Sequence, residues 1–229
     1  MTATNDDGAG RGALTFADGE SVADLATYVT RARSLEAEGA IRLQAIGSVL
    51  AAWTCVVPGQ GLMGSGLVLG LRTMPLAGAH ELDVTVPLLA LSDRFARRAS
   101  TADVGTTLAV PPTEVSPRWA GVVPPRGGWE AVGSVPVRAL FDAAEEGIAE
   151  IATGAPEGSG AAAVGMLRAR VWSREVEVDG TPTGAPAGAG LAAKVLGFAR
   201  PDDDGLATVH RVGPWTRVSL PAGHVLSRP

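Results

Sequence analysis

The segment from Pro117 to Glu130, PRWAGVVPPRGGWE, constrains the fold more than any other part of the chain. Its prolines and glycines exclude a continuous helix or a central strand through the middle of the sequence. Trp119 and Trp129 are nevertheless large apolar side chains, which must pack against the protein's own core, a partner or a ligand. The sequence therefore predicts an irregular loop that connects two halves of the chain and that is the best candidate for a site.

The patterns on either side of this loop predict an α+β fold. We expect a mostly antiparallel sheet packed with helices in two layers, followed by a C-terminal β-hairpin or meander. The expected organisation is a disordered tail over residues 1–12, an α+β subdomain over 13–114, a Trp/Pro/Gly-rich connecting loop over 115–134, and a helical subdomain with the C-terminal hairpin over 135–229. A single fused domain over 13–229 is the alternative.

In the first half, Ser21 is predicted to cap a helix whose apolar residues recur every three or four positions. After Gly39, apolar and polar residues alternate, which is typical of a half-buried strand. Gly47 and Ser48 fit a two-residue hairpin turn, and a return strand is expected from Val49 to Val57.

In the second half, Ser134 and Pro136 are expected to begin a helix that runs to about Ala152. Residues 162–178 fit either a helix or a strand. The C-terminal meander is expected to consist of three strands separated by short turns, namely Leu206 to Arg211, Trp215 to Leu220 and Gly223 to Ser227.

Charge and hydropathy limit the classes of partner. The chain has 24 acidic and 19 basic residues, for a net charge of −5, which argues against a nucleic-acid partner. No apolar run is long enough to span a membrane, and the N-terminus lacks the pattern of a signal peptide, so we expect a soluble cytoplasmic protein. The one cysteine, Cys55, can form neither an intramolecular disulfide nor a thiolate metal site, and we expect neither a metal nor a cofactor.

Two glycine-rich strings resemble anion-binding loops. GQGLMG, from Gly59 to Gly64, matches the dinucleotide fingerprint, but the residues after it read as a strand where the fingerprint requires a helix. GAPAGAG, from Gly184 to Gly190, precedes a helix that carries Lys194 and could hold an anion. The more ordinary interpretation is a hairpin loop in the first case and close helix packing in the second.

Histidines and carboxylates supply no recognised catalytic spacing. The three histidines, His80, His210 and His224, are expected at surface or cross-strand positions, since no metal-binding or triad motif contains them. A winged helix would require three helices followed by a hairpin, and the C-terminal half has that order. Its near balance of acidic and basic residues opposes DNA binding.

Five residues form the candidate ligand site: Trp119, Arg126, Trp129, Trp215 and Arg217. The tryptophans would wall a pocket, and the two arginines would bind a carboxylate or another anion. Simple filling of the junction between the halves is the alternative role of the tryptophans.

Three segments of the chain, LTFADGESVADLATYVTRARSLE, PPRGGWEAVG and GPWTRVSLPAGHVLSR, resemble a group of uncharacterised actinobacterial proteins. The resemblance covers most of the chain and implies a bacterial cytoplasmic origin, but it implies no activity.

The resulting hypothesis is a non-catalytic protein that binds a protein partner or a small anionic ligand, and a homo-oligomer is compatible with it. The first alternative is an enzyme that acts on a phosphorylated or carboxylated metabolite. The second alternative is winged-helix-like DNA binding, which the charge disfavours.

Overall fold

The structure is a computed structural model that describes residues 12–61, 64–154 and 160–228. It confirms the α+β class, because the described residues form five α-helices among strands whose defined pairings are antiparallel. The expected disordered tail, residues 1–12, lies outside the described residues apart from Gly12. No helix within the described ranges is long and apolar enough to cross a membrane.

The chain divides into two compact units, each assembled from two separate stretches of sequence. The first unit comprises Met1–Ala52 and Thr73–Ser116, and the second comprises Trp53–Arg72 and Pro117–Pro229. Two long strands contribute residues to both units. One boundary between the units lies near residue 116, and the other two fall inside these strands. The strands are β2 (Ala40–Val57) and β3 (Leu67–Pro87).

The first unit begins with a short strand and a capped helix. Asp18 is the N-cap, and its Oδ1 accepts hydrogen bonds from the backbone N–H and the hydroxyl of Ser21, both at 2.7 Å. The prediction that Ser21 itself caps the helix is therefore wrong, because Ser21 lies in the first turn. Besides β2 and β3, the elements of this unit are β1 (Ala13–Thr15), α1 (Gly19–Leu35), α2 (Leu88–Ser100) and β4 (Thr107–Ala109).

A compact apolar core holds the first unit together. β1 pairs antiparallel with β4, and the fully buried Leu14 and Leu108 face each other in this pair. The helix buries the predicted apolar stripe, including Leu25 and Val29. On the exposed side, Arg42 of β2 donates two hydrogen bonds of 2.7 Å to the carboxylate of Asp83 on β3.

The predicted hairpin at Gly47–Ser48 is wrong, since β2 continues through both residues as one 18-residue strand. Gly47 has φ of +59°, a conformation that glycine adopts without steric cost, so the irregularity is absorbed inside the strand.

The second unit is a layered arrangement of strands and helices. Its six-stranded sheet has the order β2-β3-β10-β9-β8-β5, and β6 pairs with β7 in a separate two-stranded sheet. A short 3-10 helix, Arg118–Gly121, lies within the predicted connecting loop. The remaining elements are β5 (Glu130–Pro136), α3 (Val137–Gly154), α4 (Ala161–Ser173), β6 (Glu175–Val178), β7 (Thr181–Pro186), α5 (Ala187–Leu196), β8 (Leu206–Val212), β9 (Trp215–Leu220) and β10 (Gly223–Arg228).

The C-terminal strands match the predicted meander closely. They occupy interior positions of the six-stranded sheet, where β10 pairs with both β3 and β9. A winged helix requires a hairpin that projects from the helices, and three strands in the interior of a sheet do not provide one. The ambiguous residues 162–178 contain both predicted types of structure, because α4 is followed directly by β6.

Candidate functional site

Four of the five tryptophans belong to one apolar cluster in the second unit. The buried members are Leu67 and Leu69 of β3, Trp215 of β9 and Leu226 of β10. The partly buried side chains packed against them are Trp53, Cys55, Leu71, Trp119, Val122, Trp129 and Val212. The connecting loop therefore packs on the sheet, and both of its tryptophans act as anchors.

The loop is held in place by its own backbone as well as by these anchors. The 3-10 helix ends where the N–H of Val122 donates to the carbonyl of Trp119 at 3.1 Å. Further along, the indole Nε1 of Trp129 donates to the carbonyl of Pro125, also at 3.1 Å. Trp129 thus has its polar atom satisfied locally, and its ring face is available for other contacts.

Arg217 uses that ring face. Its guanidinium carbon lies 4.8 Å from the centroid of the Trp129 ring, within the range of a cation–π interaction. The side chain is half-buried, and its Nε is buried with no hydrogen-bond partner among the described residues. A buried N–H of this kind is costly unless a partner satisfies it.

Two histidines lie beside Arg217 on the same face of the sheet. His210 on β8 is the direct cross-strand partner of Arg217, and His224 on β10 is the partner of Ser219. Because side chains alternate along a strand, Arg217 and Ser219 project from the same face. Nδ1 of His224 and Oγ of Ser219 share a hydrogen bond of 2.9 Å.

The pKa values of Arg217, His210 and His224 are all lowered, by burial and, for the two histidines, also by neighbouring positive charge. Burial lowers the pKa of His224, and the positive charges of Arg217 and His210 lower it further. Desolvation, followed by the charge of Arg217, also lowers the pKa of His210, and burial lowers the pKa of Arg217 itself. No ion pair to any of the three is present in the part of the chain that the structure describes. The surface formed by Trp129, His210, Arg217, Ser219 and His224, here called the basic face, therefore carries the positive charge of Arg217 beside two histidines whose neutral forms are favoured.

The structure brings together four of the five predicted site residues. Trp119, Trp129 and Trp215 share the apolar cluster, and Arg217 stacks on Trp129. Arg126 is exposed on the same loop, one residue after the carbonyl that accepts the Trp129 hydrogen bond. The role of these residues in binding a ligand stays a prediction.

The sequence interpretation missed His210 and His224 as members of this surface. A signal for them existed, because the turns at 213–214 and 221–222 each contain two residues and thereby fix the register of the strands on either side. Counting back from these turns places His210 opposite Arg217, and His224 opposite Ser219.

The two glycine-rich strings have structural roles in the described residues. The first lies between β2 and β3, so no helix follows it as a dinucleotide site requires, and its residues 62–63 are outside the described residues. In the second, Gly190 faces the backbone of α3: a Cβ there would lie 1.9 Å from the carbonyl oxygen of Leu140. Close helix packing therefore accounts for that glycine.

Two carboxylates of α3 form ion pairs. Glu145 pairs with Lys194 of α5, and Glu150 pairs with Arg174 at 2.8 Å. Within the described ranges, no group of three or more histidine, cysteine or carboxylate side chains has a geometry that could hold a metal ion.

The arrangement defines an α+β protein with the fold of the bacterial DNA polymerase sliding clamps. One similar structure is the β sliding clamp of Caulobacter crescentus with bound polyethylene glycol, at 14% identity and a TM-score of 0.51; the alignment covers 95% of this chain and 64% of that one. Another is the clamp of Bartonella birtlesii bound to griselimycin, at 11% identity and a TM-score of 0.51, with 95% and 65% covered. The chain thus spans slightly less than two thirds of the length of these clamps, and at such identities the likeness shows the fold alone.

Two family models match the sequence, one in each half. Residues 10–121 match a domain of unknown function, DUF8010, and residues 124–229 match a second domain of unknown function, DUF8185. No curated protein matches the chain. The likeness to actinobacterial proteins and the cytoplasmic location stay predictions.

Proposed function

We propose that this protein is a non-catalytic binding protein whose basic face binds a carboxylate-bearing segment of a protein partner. The observation that carries the proposal is Arg217, which is stacked on Trp129 with a buried Nε and no hydrogen-bond partner for it among the described residues. A carboxylate would supply both the missing acceptor and the missing negative charge. Arg126, exposed on the adjoining loop, would provide a second cation.

A protein segment fits this surface better than an isolated small anion does. The basic face lies on a sheet next to a tryptophan-anchored loop, and aromatic and arginine side chains are the residue types enriched at the centres of protein interfaces. The similar solved structures are sliding clamps, one of which is bound to griselimycin, so ligand binding on this fold has a precedent in those proteins. DNA is not the proposed partner, because acidic residues outnumber basic ones.

Catalysis is the alternative, and the hydrogen bond between Ser219 and His224 is the observation that favours it. A nucleophile and a base at 2.9 Å are two parts of a catalytic triad. The third part, a carboxylate that orients the histidine, is not among the described hydrogen bonds of His224, and burial, followed by the charge of Arg217, lowers the pKa of His224. These two features support binding over catalysis.

A fluorescence titration tests the proposal. Hexaglutamate, added at low ionic strength, is expected to change the tryptophan emission of the protein saturably, whereas hexaglutamine is not. The change Arg217→Gln should weaken hexaglutamate binding at least about tenfold, since a charge-assisted hydrogen bond contributes roughly 1.5–3 kcal/mol. Arg126→Gln should weaken it less, because Arg126 is exposed.

Arg200→Gln is the matched control, since it removes the same charge from an exposed side chain paired only with Asp202. An unchanged affinity in Arg217→Gln, or an equal loss in both variants, would refute the assignment of the basic face. Equal affinities for free glutamate and hexaglutamate would indicate that the site binds a small anionic ligand and not a protein segment.

A further inference from the structure

A cavity of about 160 Å³ lies in the second unit, bounded by β3, β8, β9 and β10 and by the segment from the end of α4 through β7. We propose that it is a binding site for a small hydroxylated organic monoanion, such as a hydroxycarboxylate. A cavity of comparable size holds a molecule about as large as benzene. The lining residues are Gly66, Leu67, Val68, Trp172, Ser173, Glu175, Gly184, Pro186, Arg211, Thr216, Ser227 and Arg228.

A polar row crosses three strands at this cavity. Arg211 on β8 is the cross-strand partner of Thr216 on β9, and Thr216 is the partner of Ser227 on β10. Directly paired side chains share a face, so the three form one line of a guanidinium and two hydroxyls. Because strands alternate, this is the opposite face to the one that carries Arg217.

The residues Thr216 and Ser227 are largely withdrawn from bulk solvent. Thr216 is 8% exposed and Ser227 is 6% exposed, and both line the cavity. Their hydroxyls can donate and accept hydrogen bonds, so an occupant with its own hydroxyl or carboxylate would find matching groups here.

The charges at the cavity favour an anion. Arg211 is the cation on the face of the sheet that carries the polar row, and the only carboxylate among the lining residues is Glu175. One oxygen of Glu175 already accepts the backbone N–H of Gly184. Arg211 forms no ion pair within the described part of the chain, so its charge remains to attract an anion.

The rest of the lining suits an apolar ring or short chain. Val68, Pro186 and Trp172 contribute apolar surface. Trp172 is 3% exposed, and its indole Nε1 is buried with no hydrogen-bond partner among the described residues. The combination of an apolar wall with a few convergent donors is typical of sites for small organic ligands.

Glycine keeps the cavity open at two points. Gly66 has φ of +76° and Gly184 has φ of +80°, both in the region that side chains disfavour. A Cβ on Gly66 would lie 3.2 Å from that of Ala169, and a Cβ on Gly184 would lie 3.5 Å from a guanidinium nitrogen of Arg211. Gly184 is the first residue of the second glycine-rich string, and Gly66 lies two residues after the end of the first.

Binding of 4-hydroxybenzoate, followed by NMR of the indole N–H signals, tests the proposal. The signal of Trp172, assigned by its loss in Trp172→Phe, should shift saturably, and 4-hydroxybenzamide should bind at least tenfold more weakly. Arg211→Gln should weaken binding of 4-hydroxybenzoate at least tenfold, and Thr216→Val roughly threefold to tenfold. Arg200→Gln, an exposed change of equal charge, should leave the affinity unchanged.

No saturable shift of the Trp172 signal with 4-hydroxybenzoate up to about 10 mM would overturn the proposal. Equal affinity for the amide would overturn the requirement for an anion, and unchanged affinity in both Arg211→Gln and Thr216→Val would overturn the location. The outcome is independent of the proposed function, because Arg217→Gln removes hexaglutamate binding at the basic face without changing any residue that lines the cavity.

Discussion

Arg217 has a charge that its surroundings do not neutralise. The Trp129 ring contributes a cation–π attraction, but the direct cross-strand neighbours of Arg217 are His210 and Leu226, and His224 lies opposite Ser219 on the same face. Arginine can keep its charge in such a place because its guanidinium is delocalised and weakly hydrated, whereas a lysine would lose its proton more readily. The two histidines lose their protons more readily, because burial lowers their pKa values. The charge of this surface therefore depends on pH through His210 and His224.

We expect the free energy of unfolding to decrease as the pH falls below 6.5, the ordinary pKa of histidine. The folded-state pKa of His224 is lowered, so in this range the unfolded chain binds more protons than the folded one. Stability is therefore fully present above pH 6.5 and is lost as the pH falls toward the folded-state pKa. Urea denaturation at about pH 7.5 and about pH 5.5 measures the difference.

His224→Asn is the informative variant for this prediction. Asparagine stays uncharged and can still form a hydrogen bond with Ser219, so its stability should depend less on pH between these two values. His80→Gln provides the comparison, since His80 lies outside the basic face, where its Nε2 accepts the backbone N–H of Thr15. The same pH dependence in wild type and His224→Asn would contradict the assignment.

At the scale of residues, the sequence predicted which tryptophans pack on the core better than it predicted which side chains contact one another. Trp119, Trp129 and Trp215 were recognisable because large apolar side chains in or beside Pro- and Gly-rich segments must be buried. The stacking of Arg217 on Trp129 was not predictable, because it depends on how a loop folds back onto a strand that lies far away in sequence. The face of the sheet on which each histidine lies could be predicted, since two-residue turns fix the register of the strands.

At the scale of elements, α5 shows why small residues occupy a buried helix. A Cβ on Gly190 would lie 1.9 Å from the carbonyl oxygen of Leu140 on α3, and one on Gly188 would lie 2.7 Å from Val68. Glycine costs a helix roughly 1 kcal/mol relative to alanine, so its presence here has to be offset by close packing. The absence of a side chain at Gly190 thus lets α5 approach α3, and its absence at Gly188 lets α5 approach β3.

Gly190→Ala is therefore expected to destabilise the protein by about 1–3 kcal/mol, despite the higher helix propensity of alanine. Gly165→Ala in α4 is the matched control: its Cβ would meet only the side-chain amide of Gln60 at 3.4 Å. That change should be neutral or stabilise the protein by up to about 1 kcal/mol. Thermal and urea unfolding of both variants would measure the contrast, and a neutral Gly190→Ala would show that α5 and α3 can separate without cost.

The lengths of the two long strands, β2 and β3, were predicted least well among the elements. From the sequence we expect one strand from Leu67 to Met74 and a separate short one from Asp83 to Val86, whereas β3 runs without a break from Leu67 to Pro87. Proline is tolerated there because Pro75 takes part through its carbonyl, which accepts the backbone N–H of Ala17 at 3.1 Å, next to the bridge between Phe16 and Leu76. The C-terminal strands were predicted well, since their turns carry clear Gly and Pro signals and each strand alternates regularly.

At the scale of the whole molecule, each unit is built from two separate stretches of sequence. The connecting loop marks one boundary near residue 116, but the others lie inside β2 and β3, where no change of composition signals them. A prediction from composition therefore divides the chain once, into contiguous halves. The strand pairing that joins distant stretches depends on long-range contacts that no local pattern encodes.

The second unit is consequently expected to need Trp53–Arg72 in order to fold. A fragment of residues 117–229 lacks β3, which pairs with β10, and it lacks Leu67 and Leu69, two of the four buried residues of the tryptophan cluster. Removing two buried leucines costs about 2–5 kcal/mol each, a large part of the stability of an ordinary domain.

Circular dichroism and amide NMR of this fragment should show little fixed tertiary structure, whereas the full chain should show dispersed signals. Adding a synthetic peptide of residues 53–72 should restore dispersed signals in the fragment, because the peptide supplies both the missing strand and the missing leucines. A peptide in which Leu67 and Leu69 are replaced by Asp should not. Native-like dispersion of the fragment alone would contradict the shared-strand arrangement, and would support instead an independent C-terminal domain with the boundaries expected from the sequence.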